Sequence, residues 1–129
     1  MKTKSRIYAF RNLNFTIGYD PEDFWKLVED KKRYRVNIKD LNISSFSWSK
    51  IINGKEIFYS ILDVYKNQKQ YKNEVEKAIK SNLNYPIILI NDEILDGNHR
   101  VLKALILKHD KIYAKYITEE ELTSIEIEL

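Results

Sequence analysis

The sequence predicts a small α+β domain, a mixed β-sheet with helices packed on it, and three observations predict it. Pro86–Ile90, PIILI, is a continuous apolar run of the kind found in strands buried on both faces. Around it, Tyr85–Ile117 reads strand, turn, short strand, polar corner, helix, strand. Two further segments, PEDFWKLVEDKK and Gln68–Leu83, carry apolar residues at helical spacing. The 129 residues fit one domain, 1–129, with no repeat or Pro/Gly/Ser linker to divide them.

Taken in order, Asp20-Pro21 reads as an N-cap followed by proline at the first helical position. Phe24, Leu27 and Val28 then share a face, with acids early and lysines late as the helix dipole favours. YRVNIKDL alternates, placing Tyr34, Val36 and Ile38 inward on a half-buried strand. Ser44–Lys50 reads as loop, Asn53-Gly54 as a turn, and Ile57–Tyr65 leans helical. In Gln68–Leu83, Tyr71, Val75, Ala78, Ile79 and Leu83 form the inner face and Lys and Glu the outer one. After PIILI, Asn91-Asp92 turns the chain into a short return strand at Ile94-Leu95. VLKALILKH buries Val101, Leu102, Leu105 and Ile106 along a helix, and KIYAKYI forms a last strand.

Composition excludes several function classes. With no cysteine there is no disulfide framework, Cys-based zinc site or Cys nucleophile, and two His argue against a His-rich metal site. No apolar run approaches the ~20 residues that span a bilayer, so a soluble cytoplasmic protein without a membrane partner is expected. Nine Tyr, five Phe and two Trp argue against disorder, and a net charge of +3 permits nucleic-acid contact without requiring it. The start is basic (Lys2, Lys4, Arg6, Arg11), whereas the final TEEELTSIEIEL holds five Glu and no cation; such blocks read as solvated faces.

The stretch DGNHR, Asp96–Arg100, carries the chemistry. Gly97 allows a sharp turn from strand into helix, and Asp96 or Asn98 can cap the first turn. A helix N-terminus presents free N–H donors and partial positive charge, and it binds anions readily. His99 and Arg100 add donors there, against the usual preference for acids at that end, an arrangement that a bound phosphate would justify. The same residues allow an ordinary account, in which Arg100 pairs with an acid such as Glu93 and His99 is a satisfied, partly buried side chain.

The pattern PIILI, ILDGNHR, VLKAL, IYAKYI resembles the core of the ParB/sulfiredoxin superfamily. The D-G-H-H-R motif of its free serine kinases is matched by Asp96, Gly97, His99 and Arg100, with Asn98 in place of the first His. Gly97, His99 and Arg100 match the G-C-H-R of sulfiredoxins, but Asn98 stands where their Cys acts, which rules out sulfinic-acid repair. Only Gly97 and Arg100 match the G-E-R-R of ParB partition proteins. The resemblance implies a phosphate site at a helix N-terminus, with Gly97, Asn98, His99 and Arg100 holding the phosphate of ATP, ADP or CTP, with or without Mg²⁺. Asp96 then positions the turn or faces a metal or acceptor group.

Outside the motif, Lys103, Lys72 and Lys69 are candidates for charge compensation or ordinary solvated lysines, and Asp63, an acid in an apolar stretch, is a candidate base beside Asp96 and His99 or equally a helix cap or ion-pair partner. Asp40 and Glu56 are weaker acids for that role, and Trp25 and Trp48 could stack on a base. Three scattered glycines make no P-loop. The expected function is nucleotide or phosphate binding, with phosphotransfer or phosphohydrolysis favoured over a non-catalytic, nucleotide-switched module that contacts DNA or protein, or a ParB-like nuclease. A nucleic-acid partner and a homodimer both stay open.

Overall fold

The computed structural model describes residues 8–9 and 17–128; the basic block at Lys2, Lys4, Arg6 and Arg11 lies outside them. Near the start, β1 (Tyr8–Ala9) pairs antiparallel with β2 (Ile17–Tyr19). Helix α1 (Pro21–Val28) begins as its sequence requires, since the Asp20 carboxylate accepts from the Glu22 N–H and proline fills the first position. It ends at Val28, short of the predicted lysines. Strand β3 (Tyr34–Asn37) follows and closes in a 3₁₀ turn over Ile38–Asp40, so the predicted strand is half its expected length.

The middle of the chain differs from its sequence reading. Of Ser44–Lys50 only Ser44 and Ser45 are loop: β4 (Phe46–Ile52) and β5 (Lys55–Ser60) form an antiparallel hairpin. Its turn is the predicted one, with Asn53 and Gly54 both at positive φ, the mirror-image geometry that suits strand twist. Helix α2 (Ile61–Lys66) takes up only the second half of the segment that leans helical. Helix α3 (Lys72–Lys80) is shorter than the predicted Gln68–Leu83, because residues 68–71 form a turn.

From Tyr85 onward the predicted order holds. Strand β6 (Ile87–Ile90) turns through Asn91 and Asp92 into β7 (Glu93–Asp96), α4 (Asn98–Ile106) crosses over, and β8 (Lys111–Tyr116) returns. KIYAKYI is not the last strand. The acidic end folds into α5 (Glu119–Ser124) and β9 (Ile127–Glu128), and β9 pairs with β2.

Four strands make the central sheet in the order β3-β8-β6-β7. The β6–β8 pair is parallel and the other two pairs antiparallel, so the sheet is mixed. Successive side chains of a strand point to opposite faces, and β6 therefore feeds two cores. Ile87 and Leu89 pack with Val64, Ala78, Val101, Leu102, Ala104, Ile112 and Ala114 under α2, α3 and α4. Ile88 and Ile90 pack with Tyr19, Phe24, Val28, Leu95, Ile117 and Leu122 beneath α1 and α5. Burial of all four β6 residues matches the continuous apolar run. The fold is thus a small α+β domain with five α-helices among the described residues. None of them is long and apolar enough to cross a membrane.

Candidate functional site

The polar corner lies where β7 passes into α4. Gly97 is the N-cap of α4 in the left-handed conformation, φ 107°. A Cβ there would come within 2.6 Å of Ile87 Cγ2 and 2.9 Å of Arg100 Nη2, so glycine is required by backbone and packing alike. As the N-cap has no side chain and the first turn holds no acid, the initial N–H groups of α4 lack the caps seen on α1, α2 and α5. Asn98 is the first helical residue and is half-buried.

Arg100 and His99 each meet a carboxylate from another element. Arg100 Nη2 donates to Asp96 Oδ2 at 3.2 Å, and the Trp25 indole N–H donates to the same oxygen at 2.9 Å. Arg100 therefore pairs with Asp96 and not with the exposed Glu93. Its Nε is buried and has no hydrogen-bond partner among the described residues, a cost that a buried donor does not normally carry.

His99 Nε2 lies 2.9 Å from Glu74 Oε1, and the other Glu74 oxygen accepts from the Tyr59 hydroxyl. The His99 hydrogen bond is the main cause that holds the Glu74 carboxyl below its ordinary value, against the opposing effect of burial. Burial, reinforced by the bond to Glu74, pushes the Tyr59 phenol up, so it remains a donor at neutral pH. Rings surround this acid. Trp48 packs on His99 with centroids 4.9 Å apart, Tyr59 stacks on Tyr71 at 4.5 Å, and Lys50 Nζ sits 4.4 Å from the Tyr71 centroid. The β4–β5 hairpin is thereby tied to α3 and α4.

Compared with protein-family models, curated proteins and solved structures, the chain matches none.

The remaining sequence candidates fall in ordinary places. Asp63 is the third residue of α2 and completes a capping box with Ser60, accepting from the Ser60 N–H at 2.8 Å. Lys103 Nζ donates to the Ser81 carbonyl at 2.7 Å and so caps the end of α3. Lys72 opens α3 and is exposed, as is Lys69 in the preceding turn. Asp40 accepts from Asn37 Nδ2 at 3.4 Å, and Glu56 accepts from Ser49 Oγ at 2.9 Å.

The structure thus brings Asp96, Gly97, Asn98, His99 and Arg100 together and leaves Asp63 to cap α2 and Lys72 exposed at the start of α3. Sequence reasoning missed Glu74, which it placed on the outer face of its helix and which is 9% exposed. It also missed Trp25 and Tyr59 as hydrogen-bond partners at the corner. No group of three or more His, Cys, Asp and Glu that could hold a metal ion is gathered among the described residues.

Proposed function

We propose that the N-terminal end of α4 binds the phosphate of a nucleotide or another phosphate-bearing ligand, as the resemblance to the ParB/sulfiredoxin superfamily implies. The buried, unpartnered Arg100 Nε carries this reading. It belongs to the first turn of a helix whose N-cap has no side chain, and an anion accepted there would satisfy it together with the helix N–H groups. The absence of a Cβ at Gly97 supports the same reading, because it lets backbone and guanidinium lie close together.

The chain's own residues then divide the work. Asp96, steadied by the Trp25 N–H, orients the Arg100 fork. Glu74 takes up His99 Nε2 and fixes the ring, which leaves Nδ1 for a reacting group. With a nucleotide in place, His99 is the group that moves a proton in a phosphotransferase or phosphohydrolase, and Arg100 stabilises charge on the phosphoryl oxygens.

The test is titration of ATP, ADP, CTP and GTP, with and without Mg²⁺, into the wild type, Arg100→Lys and Arg100→Ala. Far-UV circular dichroism guards against loss of the fold. Arg100→Ala is expected to weaken binding at least about tenfold, and Arg100→Lys less, as befits loss of one charge-assisted fork. Turnover that needs Mg²⁺ and His99 supports the enzyme; tight binding without turnover supports a nucleotide-switched module. Failure of every nucleotide to bind would end both.

A further inference from the structure

The sheet face opposite the first core is covered only in part. Lys115 on β8 donates to the Val28 and Glu29 carbonyls and so fixes the end of α1 over the β6 side. On the β3 side Arg35 and Lys111 are exposed. There Arg35 lies directly opposite Tyr113, and Asn37 opposite Lys111, so these four side chains share one face. Arg33 joins them, with its guanidinium 4.1 Å from the Tyr113 centroid and that of Arg35 at 6.0 Å. Around the edge, Lys32 Nζ sits 5.6 Å from the centroid of Tyr34, which is 50% exposed. Among the described residues β3 has a strand partner on one side only.

Charge is what distinguishes this surface. Lys32, Arg33, Arg35 and Lys111 are all exposed, and among the described residues none pairs with a carboxylate. The adjacent Lys31, by contrast, is paired with Glu121. A concavity adjoins the patch, where Arg35, Lys111, Tyr113 and His109 meet the apolar Leu83 and Ile112. Four cations with no carboxylate partner among the described residues, set beside tyrosine rings and with Arg33 also donating to the Asn84 carbonyl, suit a ligand that alternates negative charge with flat apolar rings.

We infer that the β3–β8 face and its β3 edge bind single-stranded nucleic acid, its phosphates on Arg33, Arg35, Lys111 and Lys32 and a base against Tyr34 at the edge, or against Tyr113 in place of the Arg33 guanidinium. An acidic protein segment would satisfy the cations but leave the rings without a use. A duplex, whose bases are already stacked, would gain nothing from them. The surface is distinct from the end of α4, and neither proposal depends on the other.

The experiment is fluorescence anisotropy of labelled oligo-dT and oligo-U strands of about 20 nucleotides, with a hairpin duplex of equal length as comparison. Binding should weaken between about 50 and about 200 mM salt with a log–log slope of about two to three, as expected for three or four neutralised phosphates. The exposed pair Arg33→Gln and Arg35→Gln together should reduce affinity tenfold or more and lower that slope by about one. Tyr113→Leu, which keeps an apolar side chain for packing, should weaken binding about fivefold or more at an unchanged slope. Arg100→Ala should bind the strand like the wild type. The inference is overturned if no strand binds at low salt, or if the double variant binds as tightly as the wild type. It is also overturned if the duplex is preferred, or if polyglutamate of matched charge displaces the label as well as unlabelled strand does.

Discussion

Between α3 and α4 the Glu74 carboxylate accepts from Tyr59 and meets His99, and its side chain is 11% exposed. Its pKa is depressed in the fold, so its contribution to stability has a definite sign. A carboxylate with a lowered folded pKa stabilises fully above its unfolded pKa, and that stabilisation is lost as pH falls through the folded value. The loss therefore lies on the acid side, below the ordinary carboxylate range. Glu74→Gln should cost about 1–3 kcal/mol at neutral pH, the worth of a hydrogen bond to a charged group. The difference between wild type and variant should shrink as pH falls below the ordinary carboxylate range. Urea unfolding of both proteins between pH 7 and 3 measures this directly; a difference that stays constant across the range would show that the charge of Glu74 is irrelevant. Subtraction isolates Glu74 from the acid dependence that both proteins share.

At the scale of elements, α5 tests what an acidic segment can build. Its three leading glutamates sit in the first turn, where the helix dipole favours them, and Thr118 with Glu121 forms a capping box. Lys31 pairs with Glu121, and Leu122 is fully buried in the second core. Leu122→Ala should therefore cost about 2–5 kcal/mol, read as a shift of the urea midpoint at unchanged slope. A surface helix would lose no more than ~0.5 kcal/mol. The sequence reading took this segment for a solvated face because its five Glu outweigh one inward leucine in any count of charge. The β6–β7–α4–β8 unit was legible because apolar run, turn residues, glycine and helical spacing all agree locally. The β4–β5 hairpin was not: a bulge between Phe46 and Trp48 breaks its alternation, and Phe46 and Ile51 are 70% and 68% exposed. Strands β1, β2 and β9 span two or three residues, too few for any period to register. At the corner, DGNHR was visible as a motif, but its supports were not. Glu74 and Trp25 lie 25 and 71 positions from the residues they bond, and only folding relates them.

For the molecule as a whole, the question is whether two cores on one sheet behave as one cooperative unit. Strand β6 supplies both, with Ile87 and Leu89 on one side and Ile88 and Ile90 on the other, so neither core can lose it alone. The layers are also joined around the edge of the sheet, because Trp25 on α1 and Arg100 on α4 bond the same Asp96 oxygen. Each layer contains one of the two tryptophans: Trp25 stands on α1 over the second core, and Trp48 packs against the first. Trp25→Phe leaves fluorescence to Trp48, and Trp48→Phe leaves it to Trp25. If β6 couples the layers, then in each variant the fluorescence midpoint in urea coincides with that of far-UV circular dichroism, which follows the whole fold. A fluorescence midpoint that departs from the dichroism midpoint in either variant would mean that one layer opens while the sheet survives. Shared backbone hydrogen bonds favour coincidence: β6 bonds to both β7 and β8, and releasing either layer's side chains exposes a strand whose other face is still packed.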